Sequence, residues 1–318
     1  MKIAITGGAG YVGTVLSHKL LLNGHDVTVL DTFWFGDHLL NNKKITKIQG
    51  DIRSIDDLRA AFSGQDAVIH LACVSNDPSF DMNPGLGKEI NYTCFKDLIK
   101  VVNECNVKRF IYASSSSVYG ISDRPDVIEG SPKSPITDYS KYKLACESWL
   151  QSYGTGGAWT ILRPATVCGY SPRQRFDLVV NVLTIQAIVN KRITLFGREQ
   201  LRPNIHIDDM CEAYIAILNA NEKDVDRQVF NVGFENKSLF HIAEQIREVI
   251  PCQIEDRPVV DRRSYHVNSN KISSIFKPTF GITEAIDDIL GAFRKDLFKD
   301  PINNSIYYNI KRMKELGL

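Results

Sequence analysis

The sequence lacks the features that mark metal-binding, secreted and membrane-spanning chains. Its seven cysteines are dispersed, with no Cys-x-x-Cys pair and no cysteine–histidine pattern at metal-ligand spacing. We therefore expect no metal site, and reduced thiols in a cytoplasmic protein. No apolar run approaches the roughly eighteen residues of a transmembrane helix. The first residues enter a strand pattern without the apolar core of a signal peptide.

An excess of charge of either sign is also missing. Lys and Arg number 38 against 37 Asp and Glu, which leaves a formal charge of +1. No global field recruits nucleic acid or an anionic membrane, so we expect neither as a partner, and local groups must hold any anionic ligand. Of the 318 residues, 43% are hydrophobic, which is ample for a large buried core.

A glycine-rich turn near the N-terminus has the pattern of a dinucleotide site. The apolar run 2–6 predicts a strand, and the turn after it opens a predicted helix over 12–22. The turn contains Gly7, Gly8, Gly10 and Gly13. Glycines permit a tight turn and let the backbone approach a pyrophosphate. The next predicted strand, 26–30, precedes Asp31, whose carboxylate can accept from a ribose 2′-hydroxyl and would repel a 2′-phosphate. The pattern predicts NAD rather than NADP.

Strands and helices alternate along the first half of the chain. Further strands are predicted at 45–49, 67–71, 109–113 and 159–162, and helices at 54–62, 86–103 and 139–153. Alternation predicts an α/β fold with a doubly wound parallel sheet of the Rossmann type. Ligands lie beyond the carboxyl ends of such strands, where Asp31, Leu71-Ala72 and Ser114-Ser115 fall. Asp51 and Ile52 could flank an adenine, although Asp51 could equally cap a turn.

Tyr139 and Lys143 lie in a predicted helix at a spacing that places them one turn apart on the same face. A lysine ammonium near a phenol favours the phenolate and lowers its pKa from about 10. The tyrosine could then exchange a proton with an alcohol near neutral pH. Two exposed residues of a surface helix have the same spacing, so the pair alone does not decide the matter.

The pattern changes after Pro164. A strand-like run at 228–232 could return to the main sheet. We interpret 1–165, with 206–233 returning to it, as an NAD-binding Rossmann domain. Residues 166–205 and 234–318 would form a smaller, interleaved C-terminal α/β substrate-binding domain. The first of these segments contains a basic cluster, namely Arg173, Arg175, Arg198 and Arg202.

A series of ordered motifs resembles the extended short-chain dehydrogenase/reductases that act on nucleotide sugars. The motifs are the glycine turn from Thr6 to Gly13, Gly50-Asp51-Ile52-Arg53, His70-Leu71-Ala72, Asn91, Ala113 to Gly120, Tyr139-x-x-x-Lys143, Leu162-Arg163-Pro164 and Gln200 to His206. The resemblance implies NAD as cofactor and a nucleotide-diphosphate sugar as ligand. It also implies a homodimer built on the helices near 87–103 and 139–153. Trp149-Leu150 fits such a seam, and fits core packing equally well.

The resemblance further implies roles for individual residues. Ser115 completes a catalytic set with Tyr139 and Lys143: the phenolate removes a sugar hydroxyl proton, Ser115 donates to the same oxygen, and Lys143 holds the nicotinamide ribose. The implied cofactor-binding residues are Gly7, Gly10, Tyr11, Val12, Gly13, Asp31, Asp51, Ile52, Leu71, Ala72, Cys73, Asn91, Ser114, Tyr139, Lys143 and Pro164. The implied substrate-binding residues are Ser115, Asn181, Arg202 and Arg263. The two arginines would also fit a solvated surface.

Two serines narrow the implied reaction. The 4,6-dehydratases of this family carry Asp-Glu directly after the catalytic residue, where this chain has Ser116 and Ser117. Serines cannot perform that proton chemistry near pH 7. We therefore expect a 4-epimerase, which oxidises and re-reduces carbon 4 through a 4-keto intermediate. A 4-dehydrogenase or 4-ketoreductase remains open. A non-catalytic NAD sensor is disfavoured by the intact catalytic set.

Overall fold

The described chain folds into strands and helices that alternate through its first half. A computed structural model describes residues 1–122, 126–257 and 266–318. The strands are β1 (Lys2–Thr6), β2 (Asp26–Asp31), β3 (Ile45–Gln49), β4 (Ala67–His70), β5 (Arg109–Ala113), β6 (Ala158–Pro164), β7 (Thr166–Cys168), β8 (Arg192–Phe196), β9 (Leu201–His206), β10 (Gln228–Val232), β11 (Glu235–Ser238) and β12 (Gln253–Arg257). The helices are α1 (Tyr11–Leu22), α2 (Ile55–Phe62), α3 (Asp77–Met82), α4 (Pro84–Lys88), α5 (Phe95–Glu104), α6 (Asp138–Tyr153), α7 (Val179–Asn190), α8 (Ile207–Asn219), α9 (Glu222–Val225), α10 (Leu239–Val249), α11 (Ile282–Arg294) and α12 (Asn309–Glu315).

The main sheet has the order β3-β2-β1-β4-β5-β6-β10, and each neighbouring pair is parallel. This order confirms the predicted doubly wound Rossmann sheet. The direction of winding reverses between β1 and β4, and a crevice for a ligand forms at such a switch point. The strand-like run 228–232 does return to this sheet, with Gln228 opposite Thr160 on β6.

The central strands of the main sheet are largely apolar because both of their faces are covered, whereas the edge strand β3 is mostly exposed. On β1, Ile3 and Ile5 pack into the core shared with α1 and α8, whereas Ala4 packs into the core shared with α2 and α5. All three side chains are buried. A continuous apolar run is what a strand buried on both faces requires.

A smaller α/β unit adjoins the main sheet. Strands β11, β9 and β7 form one sheet, and β12 pairs with β8. Helices α7, α10 and α11 pack around a separate apolar core, in which Ile185, Ile193, Ile242 and Ile286 are fully buried. Within the described ranges, no helix is long and apolar enough to cross a membrane.

The helix predicted over 86–103 is interrupted. Helix α4 ends at Lys88, a π-helical turn spans Glu89–Thr93, and α5 begins at Phe95. The wide turn buries two consecutive side chains, Ile90 and Asn91. Apolar periodicity does not distinguish such a turn from regular α-helix, and π-helical turns are frequent near functional sites.

Candidate functional site

A cavity of about 540 Å³ opens beyond the carboxyl ends of the main-sheet strands. It is the place where the sequence predicts the ligands. The predicted site residues that line it are Gly7, Gly10, Tyr11, Val12, Gly13, Asp31, Asp51, Ile52, Leu71, Ala72, Cys73, Ser114, Ser115, Tyr139, Lys143, Pro164 and Arg202. Asn91 and Asn181 do not line it, and Arg263 lies outside the described residues.

The glycine turn brings bare backbone to the cavity wall. Gly7 has φ +72°, and a Cβ there would lie 2.7 Å from the Ala72 nitrogen. A Cβ on Gly13 would lie 2.3 Å from the Gly7 oxygen, so a side chain is excluded at both positions. The turn leads into α1, whose N-terminus carries a partial positive charge. This floor fits the pyrophosphate of a dinucleotide.

Asp31 lies at the end of β2 with its carboxylate oriented by backbone groups. The N–H of Ala9 donates to Oδ2 at 3.0 Å, and the N–H of Phe33 donates to Oδ1 at 2.9 Å. Burial raises the pKa of Asp31, while the bonds from Phe33 and Ala9 act to lower it. Each oxygen keeps a second lone pair, so the carboxylate fits a ribose diol.

Asp51 lines the same cavity but is already engaged by a neighbour. Arg53 donates to its carboxylate from Nε at 3.1 Å and from Nη2 at 2.7 Å, and the Arg53 backbone N–H donates to Oδ1 at 2.9 Å. The residue therefore does close a turn. Its contact with an adenine stays a prediction.

Helix α6 positions Tyr139 and Lys143, the predicted acid–base pair. Thr137 caps the helix reciprocally with Ser140, which fixes the first turn and therefore Tyr139. One turn later, Lys143 Nζ donates to the Ala113 carbonyl at 2.7 Å, at the end of β5. The same Nζ lies 5.9 Å from the centroid of the Tyr139 ring. The ammonium is thus held beside the phenol by the sheet.

The four consecutive serines have different partners. Ser115 Oγ accepts from the Ser117 hydroxyl at 2.9 Å and from the Ser117 N–H at 3.1 Å. With those bonds accepted, Ser115 can donate its own proton, either to the Tyr139 hydroxyl or to another oxygen in the cavity. The Ser114 hydroxyl instead donates to the buried carboxylate of Glu147. Of these two, Ser115 is the one placed for chemistry.

Burial has the largest effect on the pKa of Tyr139. Desolvation raises the pKa of this phenol well above 10, and the nearby Cys73 and Asp77 raise it further. A hydrogen bond from Ser115 and the charge of Arg175 act in the opposite direction. The net direction is opposite to that expected from the Tyr139–Lys143 spacing, because desolvation outweighs the Ser115 hydrogen bond and the charge of Arg175. The surrounding side chains therefore favour the neutral phenol.

Two predicted contact residues lie behind the cavity wall. Asn91 accepts from the Val74 N–H at 2.8 Å and donates to the Val74 oxygen at 2.9 Å, which fixes the segment after β4. Asn181 accepts from the Gly169 N–H and donates to the hydroxyl of Tyr11, each at 3.0 Å. The Tyr11 hydroxyl donates in turn to the Gly169 oxygen at 2.7 Å. These amides support residues of the wall.

Several lining residues were not assigned from the sequence. They are Trp34, Phe35, Arg173, Arg175, Asn309 and Met313. The two arginines belong to the basic cluster found in the sequence, but the sequence does not indicate what they bind. Asn309 and Met313 come from the C-terminal helix α12, and sequence periodicity cannot place that helix against the loop after β2.

The chain matches a family model over residues 3–233, and the family is described as the NAD dependent epimerase/dehydratase family. It is 27% identical to a UDP-glucose 4-epimerase of Lactobacillus helveticus over 317 residues, covering 91% of this chain and 95% of the relative.

Solved structures match over nearly the whole chain. The UDP-glucose 4-epimerase of Thermotoga maritima with UDP-glucose superposes with a TM-score of 0.84 at 25% identity, covering 94% of this chain and 100% of that one. The UDP-glucuronic acid 4-epimerase of Bacillus cereus, in complex with UDP-glucuronic acid and NAD, superposes with a TM-score of 0.83 at 25% identity and with the same coverage of both chains.

Proposed function

The chain belongs to the NAD-dependent epimerase/dehydratase family, and on that premise we propose that it is a nucleotide-sugar 4-epimerase. The reaction oxidises carbon 4 of a nucleotide-diphosphate sugar to a 4-keto intermediate and reduces it again on the other face. Relatives named as 4-epimerases align over most of the chain, which supports this reaction.

NAD is the cofactor, and the cavity fits it. The backbone of the glycine turn would hold the pyrophosphate, Asp31 the adenosine ribose and Lys143 the nicotinamide ribose. When bound, NAD supplies the acceptor and donor of hydride at carbon 4, together with the positive charge of its oxidised ring. That charge would add to those of Lys143 and Arg175 and favour the Tyr139 phenolate.

The observation that carries the proposal is the grouping of Ser115, Tyr139 and Lys143 with Ser116 and Ser117 beside them. Tyr139 takes the proton of the sugar hydroxyl, and it returns a proton to the same oxygen when the 4-keto sugar is reduced on its other face. Ser115 donates a hydrogen bond to the same oxygen in both directions, since Ser117 occupies its acceptor side. A dehydratase needs carboxyl groups where the chain has serines, so elimination of water is disfavoured.

Coverage of the cofactor end of the cavity favours an epimerase over a 4-dehydrogenase or 4-ketoreductase. Trp34, Phe35 and Met313 line the cavity, and Met313 is buried. An epimerase keeps its cofactor through oxidation and reduction, whereas a net dehydrogenase must exchange it at every turnover. A cavity wall built from these side chains would help to retain the cofactor between the two hydride transfers.

For the sugar nucleotide, we propose a uridine diphosphate sugar held in part by Arg202. The named ligands of the two structural relatives are UDP-sugars. Arg202 lines the cavity, and its planar fork suits a diphosphate. We further propose that 166–205 and 234–318 act as the substrate-binding domain, with Arg263 among its contacts.

A panel of nucleotide sugars tests the function. Purified protein without added cofactor is incubated with UDP-, GDP-, dTDP- and CDP-hexoses, and the products are identified by proton NMR. We expect a UDP-sugar to yield its 4-epimer at equilibrium, without free NADH. Stoichiometric keto sugar with released NADH would indicate the dehydrogenase instead. Conversion of no substrate in the panel would contradict the proposal.

We also propose a cytoplasmic homodimer. All seven cysteines are free, which suits a reducing compartment. On α6, Tyr153 is 74% exposed and packs on Trp149, which in turn contacts Phe95 of α5. Leu150 is fully buried in the chain's own core, so Trp149 and Tyr153 would form the seam. Light scattering should give twice the mass of the 35.8 kDa chain, and Tyr153→Asp should shift it toward the monomer.

A further inference from the structure

We propose that Arg173 is a cofactor-binding residue whose guanidinium donates to the diphosphate of the bound dinucleotide, and that the C-terminal helix α12 holds it in position. The proposed contact lies on the cavity wall next to Phe35. It would make the end of the chain part of the cofactor site.

The guanidinium of Arg173 is held on one side only. The side chain is 3% exposed, and its Cζ lies 3.9 Å from the centroid of the Phe35 ring. Nη2 donates to Asn309 Oδ1 at 2.7 Å. Among the described residues, Nε and Nη1 are buried and have no hydrogen-bond partner, and Arg173 is one of the residues that line the cavity.

A buried cation with two unpartnered donors is unfavourable by itself. Burial, together with the charge of Arg175, lowers the pKa of Arg173 to about 9. No carboxylate of the described residues lies within ion-pair distance of Arg173. Such a group is stabilised when an anion accepts from its free N–H groups. The fold therefore presents an anion-binding group at this wall.

The position of Arg173 points to the dinucleotide rather than to the sugar nucleotide. Phe35, on which it stacks, belongs to the loop that follows Asp31 at the end of β2. The charges of Arg173 and Asp31 are close enough to influence each other's pKa. The diphosphate of a dinucleotide lies between the ribose carboxylate and the N-terminus of α1. A 2′-phosphate is disfavoured there, since Asp31 would repel it.

Helix α12 ties the arginine to both sides of the cavity. Besides accepting from Arg173, Asn309 donates from Nδ2 to Ser75 Oγ at 3.1 Å and from its N–H to Asp177 at 3.0 Å. One turn on, Arg312 Nε donates to the Trp34 oxygen at 2.8 Å. The helix thus joins the segment that carries Arg173 to the loop after β2. Cofactor binding and docking of the C-terminus should support each other.

Arg173→Met tests the proposal, because methionine keeps the stacking volume and removes the donors. Dissociation constants of NAD, ADP-ribose, adenosine and UDP are measured by calorimetry on nucleotide-free protein. Loss of charge-assisted bonds to phosphate should weaken the binding of NAD and ADP-ribose by about 10- to 100-fold. The dissociation constants of adenosine and UDP should change by less than about twofold. Arg173→Lys, which keeps the charge, should recover part of the loss.

Arg198→Met is the matched control. Arg198 also stacks on a phenylalanine, with Cζ 3.4 Å from the Phe240 centroid, but it is exposed and pairs with Asp256. This variant should bind NAD as the wild type does.

Thermal unfolding separates a binding role from a structural one. Without ligand, Arg173→Met should unfold at the same or a higher temperature, because an unpaired buried charge is removed, while the shift caused by NAD becomes smaller. A lower unliganded midpoint with an unchanged NAD shift would contradict the proposal. Unchanged NAD affinity, or weakening confined to UDP or to NADP, would also overturn it. Failure of the wild type to bind NAD would instead contradict the cofactor itself.

Discussion

At the scale of single residues, the site depends on which hydrogen-bond roles are already taken. Ser117 donates twice to Ser115, and that leaves Ser115 as a donor toward the cavity. Tyr139 lies beside it in a setting where burial holds its pKa high. Both features follow from contacts among neighbours that a motif alone does not specify. The residue types were predictable from the sequence, and their protonation was not.

Tyr139→Phe should lower kcat by about 10²- to 10⁴-fold, because the variant cannot exchange a proton with the sugar hydroxyl. NAD affinity should stay nearly unchanged, as the ring remains in place. Steady-state assays and NAD titration check both points. Tyr142→Phe is the control: its ring stacks on Tyr92 and does not line the cavity. Activity retained in Tyr139→Phe would remove the residue from its assigned role.

The buried side chain of His70 should make the stability of the fold sensitive to acid. The imidazole is packed near Tyr112 and bonded to Thr6 Oγ1 at 2.7 Å. Burial, together with the charge of Lys143, lowers its pKa to about 3. The unfolded chain binds a proton below about pH 6.5, while the folded one stays neutral down to about pH 3. Stability due to this histidine is therefore full above pH 6.5 and lost as the pH falls.

Between pH 7 and pH 5, the wild type should lose about 2 kcal/mol more unfolding free energy than His70→Gln does. Urea unfolding at the two pH values measures the difference. Equal losses in the two proteins would show that His70 is not held neutral.

At the scale of elements, α6 is fixed to the sheet at successive turns. Lys143 is bonded to β5 through Ala113, and Glu147, one turn later, pairs with Arg163 of β6. The second pair has an N···O distance of 2.6 Å, with both side chains 1% exposed. This face of α6 is thus attached to the strands whose ends form the site.

Glu147→Gln should destabilise the protein by about 3–5 kcal/mol, since it leaves the Arg163 charge buried without its counter-ion. Glu104→Gln breaks an exposed pair with Arg59 and should change stability by less than about 1 kcal/mol. Denaturant unfolding of both variants tests the contrast. A smaller effect for Glu147→Gln than for Glu104→Gln would contradict the assigned anchor.

The same scale shows what the sequence can and cannot predict. Strands 2–6, 45–49 and 109–113 have the predicted bounds. The central strands β1 and β5 are mainly apolar runs flanked by turn residues, whereas β3 is an edge strand with Ile45 and Ile48 among polar residues. The π-helical turn Glu89–Thr93 was not predicted, since its burial pattern resembles that of an α-helix. Local sequence pattern therefore predicts regular strands but does not predict a π-helical turn.

At the scale of the whole molecule, the cavity is assembled from distant parts of the chain. Arg173 and Asn309 are 136 residues apart, and their contact depends on the smaller unit and α12 docking over the main sheet. Motif order predicted that the glycine turn, Tyr139 and Lys143 meet at one cavity, because they lie on consecutive strands and helices. It did not predict the wall that holds Arg173 and Asn309, whose residues are neighbours only after folding.

A 4-epimerase of this kind removes hydride from carbon 4 and returns it to the same carbon within one site. The decisive experiment uses a UDP-hexose labelled with deuterium at carbon 4, incubated in ordinary water without added NAD. We expect the 4-epimer with the deuterium still on carbon 4. Loss of the label to water, with epimer formed, would contradict this reaction.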